Sequence, residues 1–264
     1  MNGPFCRACL FAFLLSAACS VSAAPEWQKI GSTHFFVYYR DSADFAEKVS
    51  REAEEDYSAI TADLAYEKRD NFWLWNDRVS IYIYRDRNDF LSQTLSPEWS
   101  AGFASYKRKE IATFAGSEEF LKSLLRHEMT HLLFREFIGF EKDPPLWLNE
   151  GLAQWEERGK REGSLRLVRR LRDQNRLISL TALVRMEIRN VADGGEADEF
   201  YAESVSVVEY LIHSQGADKF RLFCGQIRDG KTLDDALRFT YPDSIRNITE
   251  LESGWKQYFA GEGQ

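Results

Sequence analysis

The stretch Leu124-Leu-Arg-His-Glu-Met-Thr-His-Leu-Leu-Phe134 sets two histidines and a glutamate in a run that is otherwise mostly apolar. His127 and His131 are four residues apart. On an α-helix that spacing is a rise of roughly 6 Å with both side chains on one face, so two imidazoles can converge on one ion. Glu128 is rotated one position round, too far to be a natural third ligand. It is placed instead to hydrogen-bond a water that the ion holds. The pentapeptide alone also fits a core helix with two satisfied histidines. Against that reading, leaving these polar groups among leucines without a partner costs on the order of several kcal/mol.

The choice turns on Pro144-Pro-Leu-Trp-Leu-Asn-Glu-Gly-Leu-Ala-Gln-Trp155, where a second helix starts after a double proline. Eighteen residues separate His131 from Glu150. A connection of that length can fold back and bring Glu150 to the two histidines as a third ligand, leaving a fourth position for water. Gly151 beside it lets the two helices approach closely. An ordinary capped helix would explain the prolines but not the spacing.

Outward from this pair, the chain changes character once. Before it, His34–Tyr39 and Arg78–Tyr84 read as strands, the latter with Val79, Ile81 and Ile83 alternating onto one face. Between them Ser42–Ala65 carries Phe45, Val49, Ala53, Tyr57, Ile60 and Leu64 at helical spacing. Phe103–Ala115 reads as a hairpin around the polar Lys107–Glu110. From Glu118 onward the pattern is helical: Glu118–Phe137, Leu146–Arg158, Leu165–Arg172, Leu180–Met186, Glu199–Ser214, Lys219–Arg228, Leu233–Phe239 and Thr249–Phe259. The order of elements predicts an α+β fold, a small mixed β-sheet lobe followed by a mostly helical lobe, with the metal helix at a cleft near Phe103–Gly151.

Composition bounds the function. With 264 residues, 44% hydrophobic, the chain can bury a real core as one domain of two lobes. A net charge of −8 with interspersed signs lacks the basic patch that nucleic-acid binding requires. Residues 1–23 read as a signal peptide: one arginine, the apolar Ala8–Val21, and small residues at Val21-Ser-Ala23. That apolar run is short against the about 20 residues of a bilayer span, and no other segment suits one. The expected mature chain is 24–264, periplasmic or secreted; lipidation at Cys19 is an alternative that lacks the usual upstream leucine. Cys6, Cys9 and Cys19 fall in the leader, so Cys224 remains alone, without a disulfide partner, as a buried inert thiol. Asn247-Ile-Thr249 is a glycosylation sequon, of meaning only in a eukaryotic secretory pathway.

His127-Glu-Met-Thr-His131 followed by Asn149-Glu-Gly-Leu-Ala153 resembles the signature of gluzincin metallopeptidases. The early His-Phe strand, the hairpin, the Pro-x-Trp-x-x-Glu-Gly-x-Ala segment and the helix opening at Tyr201-Ala-Glu-Ser204 look most like the bacterial peptidase MA-like domains. The resemblance implies a zincin-like fold and one Zn²⁺ held by His127, His131 and Glu150. It further implies a peptide or protein substrate, with Glu128 as general base. By the same likeness Tyr201 is the oxyanion donor, with Tyr210 in reserve. The Gly-x-Met-Glu-Asn segment of aminopeptidase relatives is missing; Ser100–Tyr106 stands there, which favours an endopeptidase. Gln154, Glu156 and Glu157 are candidates to hold the second nitrogen of a histidine, although for the two glutamates a solvated helix charge is the favoured reading. A rival from another class is a catalytically silent zinc-bound module that binds a peptide or envelope partner.

Overall fold

A computed structural model describes residues 26–63, 73–139, 141–157, 159–187 and 194–261. The expected leader, with its three cysteines, lies outside the described residues. A five-stranded sheet comes first, in the order β1 (Gln28–Gly31), β2 (Phe35–Tyr39), β3 (Val79–Tyr84), β5 (Glu110–Phe114), β4 (Gly102–Ser105). The two outer pairings are antiparallel and the two inner ones parallel, so the sheet is mixed, as expected. Period-two alternation decides its faces. Phe35, Val37, Val79, Ile81, Ile83 and Ile111 are all buried on one side, and the register aligns Val37, Ile81, Ile111 and Ala104 in one row across four strands.

That face is covered by α1 (Ala43–Asp63) and α3 (Leu125–Ile138), which meet each other as well as the sheet. In α1 the apolar stripe Phe45, Val49, Ala53, Tyr57 and Ile60 is buried. Two elements escape the sequence patterns. Strand β1 shows mostly exposed residues, and α2 (Arg87–Thr94) buries only Phe90. Neither carries an apolar periodicity. Pairing with β2 holds the first, and an Asp86 side chain capping the Asp89 amide holds the second.

The helical lobe comprises α4 (Leu146–Glu156), α5 (Lys160–Asp173), α6 (Leu180–Leu183), α7 (Gly194–Gln215), α8 (Ala217–Arg228), α9 (Leu233–Thr240) and α10 (Ile248–Gly261). Helix α7 is its axle: every residue from Ala202 to Ile212 is buried, and α4, α5, α8 and α10 pack around it. Such all-round burial explains why Glu203, Ser204, Ser206 and Glu209 are buried too, with neighbours taking up the polar atoms of the two glutamates and Ser206. The Trp255 indole donates to Ser206, and the Trp155 indole to Glu209. Cys224 is buried on α8, where burial pushes its thiol far up and keeps it in the protonated form of a packing side chain.

Candidate metal centre

The metal helix is entered through a π-helical turn, Phe120–Leu124, and leaves through Gly139 in the left-handed conformation. Its residues Leu125, Met129, Leu132 and Leu133 are buried against the sheet and α1, which turns His127 and His131 toward the cleft. Helix α4 presents Glu150 to the same point. Nε2 of His127 and Nε2 of His131 are 3.2 Å apart, and Oε2 of Glu150 is 3.7 Å from each. All three donor atoms lie within 4.8 Å of one another. The point equidistant from them is about 2.1 Å from each, inside the roughly 2.0–2.2 Å range of Zn–N and Zn–O bonds. An N₂O donor set of that size fits a metal ion.

The close approach of α4 is made to α7. A Cβ on Gly151 would stand 2.6 Å from the carbonyl oxygen of Ser204, so only glycine lets α4 lie this near α7. The expectation that Gly151 serves the approach to the metal helix is corrected: its nearest neighbours, Ser204 and Val208, belong to α7.

Glu156 and Glu157, favoured above as solvated charges, are both buried. Oε2 of Glu157 is 3.2 Å from Nδ1 of His127, and its other oxygen takes Lys160 at 2.7 Å. Burial works to raise the Glu157 carboxyl, but the hydrogen bonds from His127 and Lys160 outweigh it and hold the group below the usual range. Glu156 instead receives Arg126, whose guanidinium also reaches Asp63 at 3.0 Å and Asp56 at 3.7 Å. The overlooked signal was spacing: Glu157 follows Glu150 by seven residues, two helical turns, on the same face. Gln154 lines the cleft and accepts from Ser164. Nδ1 of His131 is buried without a hydrogen-bond partner among the described residues, so packing orients this ring where a carboxylate orients the other.

Glu128 sits in the cleft floor, where its Oε2 accepts the Ala104 amide of edge strand β4 at 2.8 Å. Burial pushes its carboxyl up to about 7, against the opposing pull of His131 and the Ala104 amide. Tyr201 lines both lobes of the cleft, about 750 and 790 Å³, together with Glu128, His131 and Glu150. Its phenol is pushed up to about 12, chiefly by burial and further by the negative charge of Glu150 and Glu128, and so stays protonated as a donor. The reserve candidate Tyr210 lies elsewhere. It packs on Tyr258 and Gly254 of α10 and lines neither lobe of the cleft.

No curated protein matches the chain. A family model does, over residues 65–261, which takes in the hairpin, the metal helix, Glu150 and all of the helical lobe, and leaves out β1, β2 and α1. With three quarters of its length in that match, the chain belongs to the Peptidase MA superfamily.

Proposed function

We propose that this chain is a zinc-dependent metalloendopeptidase acting outside the cytoplasm after removal of residues 1–23. The observation that carries the reading is the donor triangle of His127, His131 and Glu150 with the Glu128 carboxylate beside it. Superfamily membership supports peptidase chemistry on peptide or protein substrates. His127, His131 and Glu150 would hold the ion, with Glu157 fixing the His127 tautomer by accepting from Nδ1. Zinc at such a site lowers the pKa of water and polarises a scissile carbonyl.

The chain's own groups would do the rest. Glu128, the carboxylate in the cleft beside the donor triangle, takes a proton from the attacking water and returns it to the departing amine. The Tyr201 hydroxyl, protonated and facing the same cleft, donates to the oxygen that gains charge. The outer edge of β4 leaves backbone groups for an extended peptide to pair with. The endopeptidase assignment rests on Ser100–Tyr106, which has no glutamate to hold a free substrate amine. No helix among the described residues is long and apolar enough to cross a membrane.

The test is zinc content and cleavage of a broad peptide library by wild type and Glu128→Gln. One zinc per chain in both, with cleavage by the wild type alone, is the expected result. Stoichiometric zinc without cleavage would identify a silent binding module instead. The N-terminal sequence of exported protein checks the leader, with Ala24 expected first.

A further inference from the structure

The cleft lobe that opens beyond His131 is lined by a single Lys or Arg side chain among the described residues, Arg135. It stands four residues past His131 on α3, on the same helical face. Its guanidinium lies 4.3 Å over the Tyr106 ring, a stacking contact that fixes the plane of the fork. Nη1 is bonded to Asp143, on the loop that precedes α4. Nε is buried and has no hydrogen-bond partner among the described residues. Asp143 itself is 85% exposed. An ion pair whose acid is that well hydrated is weakly held and exchanges readily. With Nε buried, the terminal Nη edge that Asp143 now occupies is the one open to an incoming carboxylate, and Asp143 holds it much as a two-oxygen partner would.

We infer that Arg135 is a specificity residue that takes a peptide carboxylate in this lobe, displacing Asp143 as the substrate enters. The inference rests on the peptidase reading of the same cleft. The carboxylate can be an Asp or Glu side chain, which keeps the endopeptidase reading, or the C-terminus of the peptide, which would replace that reading with removal of one or two C-terminal residues. Four helical residues rise about 6 Å along the axis, and an extended chain advances roughly 3.3 Å per residue. The carboxylate thus belongs within about two residues of the bond at the metal centre. Glu128, Asp143, Glu150 and Glu187 line the same lobe and oppose an acid, which leaves Arg135 as its one cationic side chain among the described residues for a carboxylate to meet.

Binding and cutting are tested separately. Zinc-loaded Glu128→Gln protein is titrated with three fluorescein-labelled octapeptide pools: Glu-containing with amidated C-termini, Gln-containing with free C-termini, and Gln-containing with amidated C-termini. One of the first two should bind about 10-fold more tightly than the third, which also tells side chain from terminus. Adding Arg135→Gln should level the pools with zinc content retained, and Arg135→Lys should restore only part of the difference. Asp143→Asn, at an exposed position, should widen it about 3-fold by freeing the fork. Equal binding of the three pools, a preference that survives Arg135→Gln, or one indifferent to Asp143→Asn overturns the inference. The same pools are then offered to the wild type. Cleavage without acid preference sinks the subsite and leaves the peptidase standing. Arg135-dependent binding without any cleavage does the reverse.

Discussion

Glu150 and Glu157 meet one imidazole from opposite sides: Oε2 of the first is 3.7 Å from Nε2 of His127, and Oε2 of the second is 3.2 Å from Nδ1. A proton held on Nδ1 by Glu157 leaves the Nε2 lone pair aimed at the donor triangle. Glu157→Gln should therefore lower zinc affinity about 10- to 100-fold, measured by chelator competition, while far-UV circular dichroism stays unchanged. An affinity equal to wild type would make Glu157 a mere anchor for Lys160. Tyr201→Phe isolates the other residue-scale role. It should reduce kcat about 10²- to 10³-fold with zinc still bound at one per chain; a near-wild-type rate would assign the oxyanion to another donor. The two roles differed in how legible they were. His127, His131 and Glu150 are legible from spacing, since an interval of four puts the histidines on one helix face and an interval of nineteen leaves room for the chain to fold back. Whether Glu157 is wet or dry depends on what α5 and α3 cover, and no local pattern encodes that.

Helix α3 is held by charge as well as by its leucines. Arg126 lies next to His127 and faces three acids, Glu156 and Asp56, both buried, and the exposed Asp63. Burial lifts the Glu156 carboxyl to about 7 in spite of Arg126, a sign that the cation only partly offsets the loss of water. Arg126→Met would leave Glu156 buried without its cation and should destabilise the protein by about 3–5 kcal/mol in urea unfolding. A cost under about 1 kcal/mol would class the cluster with ordinary surface pairs. Gly151→Ala tests the contact between α4 and α7. Its Cβ meets backbone and not a flexible side chain, so α4 must move, at about 1–3 kcal/mol, and zinc affinity should fall with stability because Glu150 moves too. Loss of stability with unchanged affinity would show Glu150 to be placed by other contacts. The elements that sequence periodicity reveals are those with an apolar stripe, as in α1 and β3. Strand β1 and helix α2 lack one, being specified by pairing and capping, which a scan for buried faces passes over.

At the scale of the whole molecule, the sheet lobe supplies Glu128's amide partner and the α4–α7 pair supplies Glu150, so the cleft exists only where the two lobes close. The change from alternating to helical patterning near Glu118 made the two lobes legible. The buried acids at the heart of the helical lobe were not, because α7 reads as a mixed polar and apolar helix until its neighbours surround it. Glu203 shows the consequence for stability. Burial pushes its carboxyl up to about 8, with Glu199 adding to the rise and the Ile178 amide, bonded to both oxygens at 3.0 and 3.1 Å, opposing it. Between about pH 4.5, where the unfolded chain releases this proton, and about pH 8, the folded state keeps it. Stability must fall as pH rises through that window, by up to about 1.4 kcal/mol per pH unit for this group, and level off above it. Glu203→Gln retains an acceptor for Ile178 and removes the titration. Thermal melts of the zinc-free protein from pH 5 to 9 should then show a shallower decline than the wild type, with the mutant the more stable at pH 8. Parallel curves for the two proteins would mean that Glu203 is already ionised in the folded state.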